Sequence, residues 1–259
     1  MKRFLFTLIF CLLIYRPVFA TCAWTVKNIG SSVELQDICF TDTLNGWAIG
    51  FIEQISPYKV TAHIYKTTDG GNNWALQDSS HSFMIWGCDF FNSCTGWIAG
   101  SYGSIIKTTD GGLTWNSYYN GYGTADLLAI TFCDSLRGWA VGGSFYTFMM
   151  GHQLIVKTVD GGETWNTVWN LIPIETEPVG LFQDVAYTDS LKVVAVDGMF
   201  NYSTLGSTDG GASWYPGYVS SIGGLCGVSR VGYDNYCAAG WWGRILISSP
   251  GGEYWGDIS

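Results

Sequence analysis

The chain is a succession of short apolar runs separated by clusters of turn-forming residues. The first clear run, Gly46 to Gly50, reads Gly-Trp-Ala-Ile-Gly and follows the polar stretch Asp42 to Asn45. Short runs rich in β-branched and aromatic residues, bounded by Gly, Asp, Asn and Ser, are typical of β-strands. Similar runs occupy Gly96 to Gly100 and Gly138 to Gly142, with degenerate copies at Asp189 to Asp197 and Gly232 to Gly240. The pattern predicts an all-β protein.

A second pattern follows each of these runs. Its copies are Lys66-Thr-Thr-Asp-Gly-Gly-Asn-Asn-Trp74, Lys107 to Trp115, Lys157 to Trp165, Gly206 to Trp214 and, with Pro250 in place of the aspartate, Ile247 to Trp255. The closing tryptophans recur every 41 to 50 residues. This period suits one four-stranded propeller blade, which takes about 40 to 50 residues. We predict a β-propeller of four-stranded antiparallel blades, with five repeat units visible.

Each unit is predicted to run through strands A, B, C and D, with the Gly-Trp run as strand B. In the first unit strand A spans Asp37 to Thr41 and strand C spans Ala62 to Thr67. The aspartate can accept hydrogen bonds from amides of the C to D turn, the paired glycines permit positive φ, and the tryptophan packs between hairpins. Equivalent residues of separate blades lie apart, which favours a structural role over catalysis or Ca²⁺ binding. The structural residues are Asp69, Asp110, Asp160, Asp209, Trp74, Trp115, Trp165 and Trp214.

Net charge and composition limit the classes of partner that the protein is expected to bind. Residues 21–259 contain 9 basic and 21 acidic side chains, a net charge of −12, so nucleic acid is an improbable partner. Without a Cys-x-x-Cys segment, and with only His63, His81 and His152, the sequence predicts neither a metal site nor a cofactor.

The N-terminus has the pattern of a secretory signal. Lys2 and Arg3 precede an apolar run from Phe4 to Tyr15, and Val18-Phe19-Ala20 ends in small residues. We predict a signal peptide at 1–20 and a propeller domain at 21–259. The protein is then secreted or extracytoplasmic, in the periplasm, at the cell surface or outside the cell. The apolar run is interrupted too early to span a bilayer, and the domain is expected to be a monomer.

Export permits disulfides, and seven cysteines follow the signal. Cys226 and Cys237 flank a predicted hairpin turn and form one possible disulfide. The alternative is that several of the seven are small apolar core residues.

The repeated Ser/Thr-x-Asp-x-Gly-x-x-Trp pattern is the Asp box of bacterial neuraminidase repeats. Its combination with Gly-Trp-Ala-Val-Gly resembles the photosystem II assembly and stability factor propellers and their secreted relatives, over residues 23–259. The resemblance implies a fold and a binding role. It does not imply a reaction, because chemistry depends on particular sites rather than on the fold.

The chain departs from that family in the number of blades. The family is seven-bladed, whereas five units are visible here. Trp24 stands 23 residues before Trp47, as Trp74 does before Trp97, so Ala23 to Asn28 resembles an additional strand D. Either the ring is five-bladed with one redundant strand or the chain is a truncated larger ring, and we favour the second.

We expect a non-enzymatic scaffold that binds a protein or a glycan. One alternative is a sialidase-like glycoside hydrolase, since sialidases also use Asp-box propellers. Those enzymes clamp the substrate carboxylate with three arginines, but only Arg137, Arg230 and Arg244 follow the signal, and Arg137 falls in an A to B turn. A second alternative is a surface adhesion or glycan-binding module.

Strand direction predicts where binding occurs. The A to B turns and C to D boxes should share one face, and the B to C loops and D to A links the other. The second face carries long links rich in aromatics, at Phe51 to Val60, His81 to Trp86, Asn116 to Tyr122 and Ser144 to Gln153, and variable loops commonly bind. The alternative is that these loops only cap the ring. The candidate binding residues are Trp86, Tyr118, Tyr119, Phe145, Tyr146 and Phe148.

Overall fold

The computed structural model describes residues 26–27, 29, 32–119, 123–147, 150–171, 180–198, 204–219 and 224–258. The predicted signal peptide, Cys22, Trp24 and Phe148 lie outside the described residues. The strands form five sheets, which we number as blades in chain order. Blade 1 has β1 (Glu34–Phe40), β2 (Gly46–Ile55), β3 (Tyr58–Thr67) and β4 (Ala75–Asp78); blade 2 has β5 (Ile85–Phe90), β6 (Gly96–Gly100), β7 (Ser104–Thr108) and β8 (Asn116–Tyr119).

The other three blades follow the same order. Blade 3 has β9 (Asp126–Phe132), β10 (Gly138–Thr147), β11 (Met150–Thr158) and β12 (Asn166–Leu171). Blade 4 has β13 (Phe182–Tyr187), β14 (Val193–Asp197), β15 (Thr204–Ser207) and β16 (Tyr215–Pro216). Blade 5 has β18 (Leu225–Val231), β19 (Asn235–Gly240), β20 (Ile245–Ser248) and β21 (Tyr254–Asp257), and β17 (Tyr218–Val219) adds to it parallel to β21.

The blades pack side by side around a common centre. Their first strands are neighbours in the order β1, β5, β9, β13 and β18. Apolar side chains fill each space between consecutive blades; between blades 1 and 2, for example, Trp47 and Ile64 meet Ile85 and Phe90. Within the described part of the chain, four such cores join five blades. This arrangement confirms the predicted all-β propeller of four-stranded antiparallel blades.

The two faces are divided as the strand directions predict. In every blade the amide of the first glycine of the C to D turn donates to a carbonyl of the A to B turn, as Gly111 does to Cys94 at 2.7 Å. We call this side the box face. On the opposite side a B to C turn meets a D to A link, as where the Ser101 amide donates to the Met84 carbonyl at 2.9 Å. We call this side the hairpin face.

Two of the four long links predicted on the hairpin face are mostly strand rather than loop. β2 and β3 remain paired from Gly46 opposite Thr67 out to Ile55 opposite Tyr58, so most of Phe51 to Val60 is a protruding hairpin. β10 and β11 likewise pair through most of Ser144 to Gln153. Beyond the core, the two strands of each hairpin form backbone hydrogen bonds with each other. The sequence pattern did not distinguish these paired segments from loops.

The predicted bridge between Cys226 and Cys237 is also absent, because both thiols are free. In the β18–β19 ladder Cys237 stands opposite Ser229, whereas Cys226 lies at the irregularity between Leu225 and Gly227, near the other end of the pair. The described residues include no helix that is long and apolar enough to cross a membrane.

Candidate binding site

The Asp boxes are closed by a repeated set of hydrogen bonds. In blade 2 the Thr108 hydroxyl donates to Asp110 Oδ1 at 2.8 Å and accepts the Gly112 amide at 2.9 Å. Asp110 also accepts the backbone amide and the hydroxyl of Thr114, at 2.9 and 2.6 Å. Asp69, Asp160 and Asp209 accept the equivalent bonds in their own blades. Each aspartate therefore ties the end of strand C to the start of strand D.

These bonds favour the charged carboxylate. Hydrogen bonds from Thr114 hold the pKa of Asp110 at about 2, and those from Asn73 and Thr164 hold the pKa values of Asp69 and Asp160 at about 2. The pKa of Asp209 is lowered for the same reason, chiefly by Ser213. In blade 5, where Pro250 replaces the aspartate, the Ser249 hydroxyl accepts the Tyr254 amide at 3.0 Å.

The box tryptophans are half-buried rather than exposed. Trp115 and Trp165 meet Phe90 and Phe132 of their own blades edge to face, with ring centroids 6.1 and 5.8 Å apart. Trp74 meets Phe40 in the same way, and Trp214 joins the core between blades 3 and 4.

The boxes of blades 2 and 3 also receive side chains from the preceding blade. The Lys66 ammonium of blade 1 donates to the Gly111 carbonyl at 3.0 Å, and Trp97 Nε1 of blade 2 donates to the Gly161 carbonyl at 3.0 Å. Lys107 pairs with Glu163 of the next box at 2.6 Å. The boxes are thus part of the joints between blades as well as turns within them.

Three carboxylates line a central cavity of about 370 Å³ that is bounded by the first strands. Asp37, Asp89 and Asp184 accept backbone amides of the next first strand, from Cys88 at 2.8 Å, Phe132 at 2.6 Å and Val228 at 2.9 Å. Burial raises the pKa of Asp89 and of Asp184 to about 6, and it also raises the pKa of Asp37. Because each carboxylate serves a joint between blades, we assign this cluster to the scaffold.

The hairpin face carries a pocket of about 490 Å³ over blades 1 to 3. The β2–β3 hairpin supplies Tyr58 and Lys59, and the turn after β6 supplies Tyr102. The links between blades complete the wall. They contribute Phe83 and Met84, and β9 contributes its first residue, Asp126.

Tyr102 is held in this pocket by a strained backbone. It has φ 60° and ψ 29°, a left-handed conformation that is uncommon for a bulky residue, and its side chain is 61% exposed. Its amide donates to Asp126 Oδ1 at 3.1 Å, and burial raises the pKa of that carboxyl. Trp242 occupies the equivalent turn of blade 5 with φ 61° and is 74% exposed. Among the described residues other than glycine, these two alone have positive φ.

The predicted binding residues are dispersed. Trp86 is half-buried and packs edge to face on Phe51, with centroids 5.2 Å apart. Tyr118 donates to Glu163 at 3.0 Å within the joint between blades 2 and 3, so it belongs to the joint rather than to a loop. Tyr119 lies at the end of β8, and Phe145 and Tyr146 lie in the outer part of β10; their side chains are outside the described residues.

Sequence reasoning missed the aromatic residues that the hairpin face does expose. A usable signal was present, because Ser101-Tyr102-Gly103 and Trp241-Trp242-Gly243 stand between strands B and C at matching places in two repeats. Tyr58 was included in a predicted link but not selected.

The described residues hold neither a cluster that could bind a metal ion nor a convergence of arginines. Arg137 pairs with Asp134 in the A to B turn at 2.6 Å. Arg230 donates to the Gly232 carbonyl in the A to B turn of blade 5. Arg244 is buried on the hairpin side of blade 5, and its Nε lies 3.6 Å from Asp257 Oδ2.

Comparisons with known proteins agree with the repeat family. Residues 16–121 match the family model of the photosynthesis system II assembly factor YCF48. The photosystem II assembly lipoprotein Ycf48 of Synechococcus sp. (strain CC9902) is 26% identical over 107 residues, which make up 40% of this chain and 29% of that protein's length. The predicted resemblance to Asp-box propellers of the assembly-factor type is confirmed.

Solved structures show the same fold. YCF48 bound to D1 peptide superposes with a TM-score of 0.64 at 21% identity, over 94% of this chain and 70% of that one. An ancestral GH74 enzyme gives a TM-score of 0.64 at 15% identity, over 92% of this chain and 33% of that one. The WD40 β-propeller domain of Doa1 gives 0.55 at 9% identity, over 89% and 69%.

Proposed function

We propose that this chain, a BNR-type β-propeller similar to the photosystem II assembly factors, is a non-enzymatic scaffold that binds a segment of a partner protein on its hairpin face. The pocket around Tyr58 and Tyr102 carries this proposal. It combines exposed aromatic rings with one ammonium and one carboxyl, a mixture typical of protein-binding surfaces.

The strained turn at Tyr102 adds support. A left-handed non-glycine residue costs about 1 to 3 kcal/mol, and such residues cluster at ligand-binding and active sites. Glycine would fit this backbone without strain, yet the position holds a large ring that points into solvent. The relative whose solved structure contains the D1 peptide binds a protein segment on the same kind of fold.

The location of the protein is part of the proposal. The N-terminal pattern of Lys2, Arg3 and the apolar run to Tyr15 is that of an export signal. The Synechococcus relative is a lipoprotein. We place the working protein outside the cytoplasm, where its partner segment must also lie.

A sialidase-like activity has less support, because Arg137, Arg230 and Arg244 are directed to separate contacts. Turnover of a generic sialoside by the purified protein, lost on Arg230→Ala, would overturn the scaffold proposal.

The test of binding uses Tyr102→Gly, which removes the ring and relieves the backbone. Peptides are selected from a displayed random library on the purified propeller, and their dissociation constants are measured by fluorescence anisotropy. We expect Tyr102→Gly to weaken binding at least about tenfold while the melting temperature stays or rises. Leu113→Gly, at an exposed position of the blade 2 box, is the control on the other face and should leave binding unchanged.

Peptides that bind the parent and Tyr102→Gly equally well would show that the pocket is not the binding site. A parallel glycan array tests the other class of partner. If glycans bind and peptides do not, and if glycan binding is lost in Tyr102→Gly, the partner is a carbohydrate rather than a protein.

A further inference from the structure

The floor of the pocket over blades 1 to 3 is fixed by hydrogen bonds. The Ser101 amide donates to the Met84 carbonyl at 2.9 Å, and the Met84 amide donates to the Ser101 hydroxyl at 3.1 Å. These two bonds hold the turn after β6 against the link between blades 1 and 2. The pocket of about 490 Å³ therefore lies over a preformed surface, as ligand sites commonly do.

Two tyrosines from different blades line this pocket. Tyr58 is 65% exposed and Tyr102 is 61% exposed. Desolvation raises the pKa of the Tyr58 hydroxyl, and the charge of Glu53 and the phenol of Tyr102 raise it further. The two phenols are thus near each other, and the Glu53 carboxylate lies beside them.

A second carboxylate lines the pocket from blade 3. Asp126 is half-buried and accepts the Tyr102 amide on Oδ1 at 3.1 Å. Burial raises the pKa of this carboxyl. Among the residues that the structure describes, no ammonium or guanidinium forms an ion pair with Asp126 or Glu53. A cation supplied by a partner would fit beside these carboxylates.

The combination of tyrosine rings and a carboxylate favours a guanidinium. The face of an aromatic ring attracts a cation, and the planar guanidinium of arginine can stack on a ring while it donates two parallel hydrogen bonds to a carboxylate. An ammonium is more strongly hydrated and does not stack in this way. The net charge of −12 over residues 21–259 also attracts a basic segment towards the protein.

Lys59 opposes this preference and provides a test of it. Its side chain lines the same pocket, and it makes no ion pair within the described part of the chain. A bound arginine would meet Lys59 as a like charge. An acidic side chain, by contrast, would pair with Lys59 and be repelled by Asp126. Basic and acidic partners should therefore respond in opposite ways to removal of these two charges.

We propose that the pocket over blades 1 to 3 recognises an arginine side chain of the partner segment. The guanidinium stacks against the rings of Tyr58 and Tyr102 and pairs with Asp126, and Glu53 adds negative charge at the rim. This inference rests on the proposed function, because it specifies the chemistry of the segment that binds there.

The probes are the peptides selected from the displayed library, resynthesised with each arginine replaced in turn by citrulline. Citrulline keeps the shape of the arginine side chain but is uncharged. We expect every peptide whose binding depends on Tyr102 to contain an arginine whose replacement raises the dissociation constant at least about tenfold in fluorescence anisotropy. Replacement by lysine should weaken binding less than citrulline does, because the charge remains while the stacking is lost.

Substitutions in the propeller locate the recognised charge. Asp126→Asn keeps an oxygen acceptor for the Tyr102 amide but removes the charge, so it should weaken binding of the arginine peptide at least about tenfold. Lys59→Gln should strengthen binding. Glu253→Gln is the control, because Glu253 is exposed on the box face and its removal should leave binding unchanged. If melting curves show that Asp126→Asn perturbs folding, Lys59→Gln and the citrulline peptide decide.

The possible failures are distinguishable. Tyr102-dependent peptides that lack arginine, or that tolerate citrulline without loss of affinity, would overturn this inference and leave the proposed function intact. Weaker binding to Lys59→Gln with unchanged binding to Asp126→Asn would also overturn it, because the recognised group would then be an anion. Failure to select any peptide whose binding depends on Tyr102 would overturn both.

Discussion

The indole of Trp97 lies flat on Phe132 of the next blade, with ring centroids 3.5 Å apart, and its Nε1 donates to the Gly161 carbonyl at 3.0 Å. One side chain therefore contacts both the first strand and the box of its neighbour. Lys107, directly opposite on β7, reaches Glu163 of that same box. The joint between blades 2 and 3 combines stacking, a hydrogen bond and an ion pair.

Trp97→Ala should destabilise the protein by about 3 to 5 kcal/mol, the usual cost of emptying a large buried site. Trp97→Phe should cost less, because it keeps an aromatic ring but leaves the Gly161 carbonyl without its donor. Urea unfolding monitored by circular dichroism measures both. Equal stability of Trp97→Ala and the parent would contradict the role of this residue in the joint.

Asp110→Ala should lower the melting temperature, because the Thr114 amide and two hydroxyls lose their acceptor. Leu113→Ala in the same turn is the control, since Leu113 is exposed and should change stability little. Thermal melts compare the two variants. A melting temperature of Asp110→Ala equal to that of Leu113→Ala would refute the structural role predicted for the box.

Stability should depend on pH in two windows. The folded pKa of Asp89 and of Asp184 is about 6, above the ordinary value of 3.8, so their ionisation opposes folding. The free energy of unfolding should therefore rise as the pH falls from about 7 to about 4, by about 1 to 2 kcal/mol for each partly solvated group. Asp89→Asn should flatten this rise and stabilise the protein at pH 7.

The box aspartates act in the opposite direction. Their folded pKa values lie below 3.8, at about 2 for Asp69, Asp110 and Asp160, so their contribution is present above about pH 4 and is lost on further acidification. Chemical unfolding at a series of pH values should show maximal stability between the two windows. A stability that falls continuously from pH 7 to pH 4 would exclude the assignment for Asp89 and Asp184.

The sequence predicted repetitive features better than singular ones. The box, the Gly-Trp strand and the two faces recur in several units, so one pattern with a physical reason located them in each blade. The central carboxylates were missed because Asp37 and Asp184 share a ladder position whereas Asp89, opposite Trp97, lies two residues further along its strand, so the three do not align between repeats. Tyr102 was missed because its left-handed backbone depends on tertiary contacts, including its bond to Asp126.

Phe145→Ala with Tyr146→Ala tests whether the outer part of β10 contributes to binding. The pair lies beyond the core in the hairpin that β10 forms with β11. We expect weaker capture of the peptides selected on the hairpin face, with an unchanged melting temperature, because the fixed blade core does not depend on the hairpin tip. If capture survives this double substitution but is lost on substitutions in the box turns, binding occurs on the other face.

Thiol labelling checks the cysteine assignments. Cys94 and Cys226 are exposed and should react with a maleimide in the native protein, whereas Cys88 is buried and its thiol pKa is raised by burial, so it should react only after unfolding. Peptide mapping without reductant should recover Cys226 and Cys237 separately. Recovery as one linked fragment would restore the disulfide expected from the sequence.

The joints give the molecule a direction. The boxes of blades 2 and 3 are completed by side chains from the blade that precedes each of them, Gly111 by Lys66 and Gly161 by Trp97. A blade that emerges early in synthesis therefore holds the donors that its successor needs, and folding can propagate from blade 1 towards blade 5 with each step templated by the last. Loss of an early blade should weaken every later blade in turn, whereas loss of the last blade should leave the turns of the earlier blades complete. Such directional coupling is expected of repeat proteins in which each repeat contacts only its neighbours.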